Sequence, residues 1–144
     1  MGASKSLIVK VLLDTNFLIL MAKGLVTPSM LESAIPALYE LETTSAVVSE
    51  LDEMSSRRDL LSRYAAAAKE LLGKLKVRVV PTDEHDGDSS LLKYSQQLKA
   101  RNYTVVVATV DSELRKALKK AGIPTLYLKG RKRALSIDWS PVDL

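Results

Sequence analysis

The stretch Tyr103-Thr104-Val105-Val106-Val107-Ala108-Thr109-Val110-Asp111 decides the fold. Its β-branched, continuously apolar interior has the pattern of a strand covered on both faces, as strands are in parallel sheets. The run closes on an acid. The segment Ile8-Val9-Lys10-Val11-Leu12-Leu13 repeats the arrangement and closes on Asp14. Just beyond the carboxyl ends of parallel strands, groups from different strands converge on the ligand crevice. Asp14 and Asp111 are therefore expected on one edge. Glu50 and Asp88, each at the start of an expected helix, are expected to join them.

Working outward, a helix over about 16–23 ends at Gly24, a suitable C-cap. Thr27 and Pro28 supply an N-cap and first-turn proline for a short helix over 29–34. Pro36 interrupts it, and the pattern lets a helix resume over 37–42. The β-branched residues of 43–48 predict the second strand, followed by a helix over 49–55. The clearest helical period runs over 59–75, where Leu60, Leu61, Tyr64, Ala68, Leu71, Leu72 and Leu75 form one stripe. A third strand over 77–80 stops at Pro81, and 82–87 reads as a polar loop. Asp88 opens the next helix. Strands over 104–108 and 124–128 flank a helix over 112–121 capped by Gly122, and 130–144 carries only a weak pattern. Alternation of strands and helices predicts a three-layer α/β/α sandwich around a parallel sheet of about five strands, with residues 1–144 as one domain.

Composition narrows the chemistry. There is no cysteine, which removes disulfides, thiolate metal sites and cysteine nucleophiles. His85 is the single histidine and lies in the polar loop, so it is read as solvated and outside the mechanism. Only oxygen ligands remain in number. Four carboxylates at one edge repel one another unless a multivalent cation neutralises them. Such a set suits Mg²⁺ or Mn²⁺ and hence phosphate chemistry. Each acid alone has a plainer use, since Asp14, Asp88 and Asp111 are good N-caps and Glu50 complements a helix dipole. Their recurrence at successive junctions favours the shared site.

The net charge is +4 and the pI about 9.3. Positive charge gathers late, in Arg115-Lys116, Lys119-Lys120 and the segment Lys129, Arg131, Lys132 and Arg133. These clusters suit a polyanionic partner, or simply a solvated surface. The sequence holds no apolar run long enough to span a bilayer and no secretory signal pattern, so a cytoplasmic protein is expected.

Val11-Leu12-Leu13-Asp14-Thr15-Asn16-Phe17-Leu18 resembles the opening motif of PIN-domain ribonucleases. Val48-Ser49-Glu50-Leu51 resembles their second acidic motif, and Asp88-Ser89-Ser90-Leu91-Leu92 the third. Ala108-Thr109-Val110-Asp111-Ser112-Glu113 resembles the fourth, with 122–128 as the closing strand. The resemblance covers roughly 8–130. It implies an endoribonuclease dependent on Mg²⁺ or Mn²⁺ that cuts RNA phosphodiesters by water attack. Asp14, Glu50, Asp88 and Asp111 would be the catalytic, metal-site acids, with Asn16 and Thr109 orienting ligands or water. Lys129, Arg131, Lys132 and Arg133 are expected to bind RNA. The implied roles are ribosomal-RNA processing or a VapC-type toxin, with a homodimer and an antitoxin or ribosome-assembly partner. Two departures stand out. Val110 replaces the usual polar residue of the fourth motif, and Asp86 competes with Asp88 as the third acid. Two other classes fit part of the pattern. One is a non-catalytic nucleic-acid-binding or assembly module with the same fold. The other is a receiver-like phosphoacceptor domain using Asp14, Thr109 and Lys129.

Overall fold

The computed structural model describes residues 8–129 and 134–138. The strands are β1 (Val9–Leu13), β2 (Tyr39–Thr44), β3 (Arg78–Val80), β4 (Thr104–Ala108), β5 (Thr125–Lys129) and β6 (Ala134–Asp138). The helices are α1 (Thr15–Ala22), α2 (Pro28–Ala34), α3 (Ser45–Ser55), α4 (Leu60–Lys74), α5 (Gly87–Ala100) and α6 (Ser112–Lys120). The strands form one sheet in the order β3-β2-β1-β4-β5-β6. β1 to β5 are mutually parallel, and β6 runs antiparallel to β5. Helices α1, α3 and α4 pack together, while α5 lies against β2, β4 and α6. The α/β sandwich is as expected.

The chain leaves β1 toward β2 on one side and returns from β3 to β4 on the other. The sheet therefore reverses direction between β1 and β4, the position where open α/β sheets bind ligands. The same order rules out the receiver-like alternative, whose sheet runs 2-1-3-4-5. β1 and β4 supply the centre of the core, with Val11, Leu12, Leu13, Val106, Val107 and Ala108 fully buried. Phe17 is likewise fully buried and fixes the first turn of α1. Burying a side chain of that size is worth roughly 1.5–3 kcal/mol, which holds the helix start against the sheet.

Several sequence expectations need correction. Residues 39–44, expected partly as helix, form β2, and the strand expected over 43–48 gives way to α3 at Ser45. Charged Glu40 and Glu42 obscured the strand. Tertiary partners make it possible: Lys10, opposite Glu40 in the β1–β2 register, reaches Glu40 at 2.7 Å and Glu42 at 3.0 Å. Thr44 then caps α3 by accepting from the Val47 N–H, which ends the strand at the residues that looked most strand-like. The α5 helix begins one residue before Asp88, with Asp86 as its N-cap. The sheet has six strands because part of the weakly patterned C-terminal stretch forms β6. Leu60, expected in the buried stripe of α4, is 64% exposed, since it is the first residue after the Asp59 cap. Gly24 and Gly122 do end helices, with φ of 77° and 73° that a side chain would oppose. No helix among the described residues is long and apolar enough to cross a membrane.

Candidate metal centre

Asp14 and Asp111 are set by strand ends and helix starts, Asp88 by a helix start, and Glu50, expected at a helix start, lies in the middle of α3. Asp14 follows β1 and caps α1, accepting from the Phe17 N–H at 2.6 Å. Its second oxygen accepts from the Thr109 hydroxyl, which follows neighbouring β4. Thr109 Oγ1 also accepts from the Asp111 N–H at 3.0 Å, so one hydroxyl links two acids. Asp111 caps α6, accepting from the N–H groups of Glu113 and Leu114 at 2.8 and 3.1 Å.

Glu50 lies on α3, yet both its oxygens are engaged from other elements. One accepts from the Thr15 hydroxyl of α1, the other from the Gly87 N–H at 3.0 Å. Gly87 comes into close approach with Glu50 and Val47 here. A Cβ at this position would stand 2.5 Å from Glu50 Oε1 and 3.1 Å from Val47 Cγ2. Asp86 turns its carboxylate to the Ser89 N–H at 2.9 Å. Asp88, in the first turn of α5, instead meets Asp111 side chain to side chain.

Asp14, Asn16, Glu50, Asp86, Asp88 and Asp111 all line one cleft of about 460 Å³, with Thr15, Glu53, Met54 and Arg57. The carboxyls sense one another. Burial raises Asp14 to about 6, against its bonds to Thr109 and Phe17, and the charges of Asp111 and Glu50 add to the rise. Desolvation pushes Asp88 up to about 7, helped by its contact with Asp111 and by the charges of Asp111, Asp14 and Glu50. Asp111 goes the other way, held below the usual carboxylate range first by the Leu114 N–H. Asp86 is also lowered, by its bonds to Ser89.

The four acids named from the sequence thus come to one cleft, together with Asn16. Thr109 is buried behind Asp14 as its hydrogen-bond partner. Lys129 is exposed at the carboxyl end of β5, and Arg131, Lys132 and Arg133 lie outside the described residues. Val110 is 40% exposed. His85 is exposed and does not contribute to the cleft lining. Sequence reasoning missed Thr15, Gly87 and Arg57. A signal existed for Gly87, a glycine between two aspartates at a helix start, where close packing is a standard reason for glycine.

The donor set is hard oxygen throughout, as Mg²⁺ and Mn²⁺ prefer. Among the described residues no group of three or more acids stands at the spacing of a metal site. Two of the carboxyls hold raised proton affinities through burial and mutual repulsion, and a divalent cation between them would replace those protons. The donor chemistry of the cleft, rather than the spacing of its acids in this structure, suits such an ion.

A family model described as a PIN like domain matches residues 11–131. The chain is 30% identical over 125 residues to Ribonuclease VapC4 of Methanocaldococcus jannaschii, covering 85% of this chain and 92% of that protein. It also superposes on the structure of the PIN domain endonuclease Utp24 with a TM-score of 0.70, at 21% identity and 90% coverage of both chains.

Proposed function

We propose that this chain, which belongs to the PIN-like domain family, is a metal-dependent endoribonuclease that hydrolyses RNA phosphodiesters at the Asp14 cleft. The observation that carries the reading is the convergence of Asp14, Glu50, Asp88 and Asp111 on one cleft at the sheet's reversal point. The identity shared with a ribonuclease over most of both chains supports RNA as the substrate. It favours the VapC-type role over ribosomal-RNA processing, for which the structural likeness speaks only at the level of fold.

Asp14, Asp88, Asp111 and Glu50 would hold Mg²⁺ or Mn²⁺, which polarises a phosphodiester and makes an attacking water more acidic. The chain's own contribution is rigid placement. The Phe17 N–H and the Thr109 hydroxyl leave Asp14 little freedom to turn. Thr15 and Gly87 hold Glu50 from both sides. Desolvation and the neighbouring acids raise the proton affinity of Asp88, and the helix N–H bonds of Asp111 lower that of Asp111. Asn16, exposed on the cleft wall, is placed to hydrogen-bond a phosphate oxygen or water. Lys129, with Arg131, Lys132 and Arg133, adds cationic attraction for the strand.

The test is cleavage of a generic single-stranded RNA with Mg²⁺ or Mn²⁺, against EDTA and against Asp14→Asn. Cleavage that needs both the ion and Asp14 is the expected result. A protein that binds RNA tightly yet never cuts it with either ion would make the chain a non-catalytic binding module.

A further inference from the structure

A second concavity, of about 350 Å³, lies along α5 beside the β3 edge and away from the acids. Its charged lining is Lys10, Arg78, Lys93 and Arg101, against Asp83. Among the described residues neither Arg78 nor Arg101 is in an ion pair, and both are exposed. Arg78 stands opposite Glu42 in the β2–β3 register, but Glu42 is only 1% exposed and is already engaged. Lys10 holds it at 3.0 Å and the Tyr94 hydroxyl donates to it. The floor of the groove is therefore a closed polar network, and its two guanidinium groups are left for an outside anion.

The groove and the acidic cleft are separate concavities that share the α5 helix as a wall. Asp86 and Asp88 of that helix line the cleft, while Ser90, Lys93, Tyr94 and Arg101 line the groove. Ser90 and Thr44 share a buried hydroxyl contact of 2.7 Å at the end nearest the acids. From Asp88 to Arg101 the helix climbs about 20 Å at 1.5 Å per residue. At the far end stands Tyr103, 39% exposed, with the Lys10 ammonium 5.4 Å from its ring centroid. Lys10 is already held by Glu40 and Glu42, and Lys93 by Glu84 at 3.5 Å, so the cations open to a ligand are Arg78 and Arg101. Cationic groups on one wall with an exposed aromatic ring nearby are the combination that binds single-stranded nucleic acid. Guanidinium groups recognise phosphate oxygens in a bidentate fashion, which a lone lysine does not.

We propose that this groove is a phosphate-backbone site that takes the RNA strand running from the acidic cleft along α5, with Arg78 and Arg101 as its principal phosphate contacts. The inference rests on RNA being the substrate of the cleft. An acidic peptide is the other anionic occupant, and the helix shared with the acids and the exposed tyrosine favour RNA.

The experiment measures binding of a short single-stranded RNA to the full chain in EDTA over a salt series, so that cleavage does not intervene. Arg78→Gln/Arg101→Gln is compared with Lys119→Gln/Lys120→Gln, which removes the same charge from exposed positions on α6. The groove variant is expected to bind more weakly and to lose about 0.7 of logarithmic salt slope per phosphate contact, up to about 1.4 for the pair. The α6 variant is expected to lose less. Circular dichroism checks that both variants fold. Equal losses in the two variants, no loss in the groove variant, or no RNA binding by the parent chain would each overturn the groove. Displacement of a bound label from the groove by polyglutamate but not by RNA would overturn it in favour of a protein partner. Metal-dependent cleavage of a dinucleotide, too short to reach along α5, tests the nuclease reading separately.

Discussion

The Gly87 N–H donates to Oε2 of Glu50 at 3.0 Å, and this bond joins the start of α5 to the side of α3. It brings Glu50, which follows no strand end directly, to acids that do. Gly87→Ala puts a methyl group 2.5 Å from Glu50 Oε1, a distance that forces the carboxylate or the helix to shift. Overpacking of this kind costs about 1–3 kcal/mol. We expect a matching fall in urea-unfolding stability and a larger proportional fall in RNA cleavage. An alanine variant with parental stability and turnover would show that the close approach is inconsequential.

Asp14 should make the metal-free protein less stable as pH rises. Its pKa is about 6 in the folded chain, against an unfolded value of 3.8. The folded state thus binds the extra proton, and the associated stability is complete below pH 4 and disappears as pH passes 6. Two pKa units correspond to roughly 3 kcal/mol. Asp14→Asn keeps the cap acceptor but must reorient the Thr109 hydroxyl, so the expected gain at pH 7 in EDTA is smaller than this. The informative quantity is the difference between parent and variant in urea unfolding at pH 4 and pH 7. A difference that stays constant across those pH values would count against the buried, repelled carboxylate.

Asp86 and Asp88 divide capping from ligation. Asp86→Ala removes the acceptor for the Ser89 N–H and should cost about 0.5–2 kcal/mol, as N-cap losses do. Asp88→Asn removes a carboxylate that its neighbours repel, so in EDTA at pH 7 it should not lower stability, while it should abolish cleavage at saturating Mn²⁺. If the Asp86 variant loses more activity than the Asp88 variant when both are folded, the third acid is Asp86.

The buried Glu42 depends on its partners. Tyr94→Phe removes one hydrogen bond to it, with an expected loss of about 1–3 kcal/mol. Lys10→Met leaves Glu42, 1% exposed, without its ammonium, and breaking a buried pair in that way costs about 3–5 kcal/mol. Chemical denaturation of both variants checks the ranking. A Lys10→Met protein as stable as its parent would mean that the ammonium contributes little to holding Glu42 in place.

The sequence by itself determined the two central strands and the caps that follow them, and it named the four acids that line one cleft. Continuous apolar runs, helix periodicity and N-cap chemistry are local properties, legible in the residues of 8–14 and 104–111 without knowledge of neighbours. Tertiary structure alone decided the rest. Glu40 and Glu42 occupy a strand only because Lys10 on the adjacent β1 and Tyr94 on α5 satisfy them. β6 forms in a segment of weak pattern because the β5 edge offers it a hydrogen-bonding partner. Asp86 and Asp88, two residues apart and chemically alike, separate only when one faces the Ser89 N–H and the other faces Asp111. A carboxylate's role depends on which groups stand within a few ångströms of it, and those groups come from distant parts of the chain.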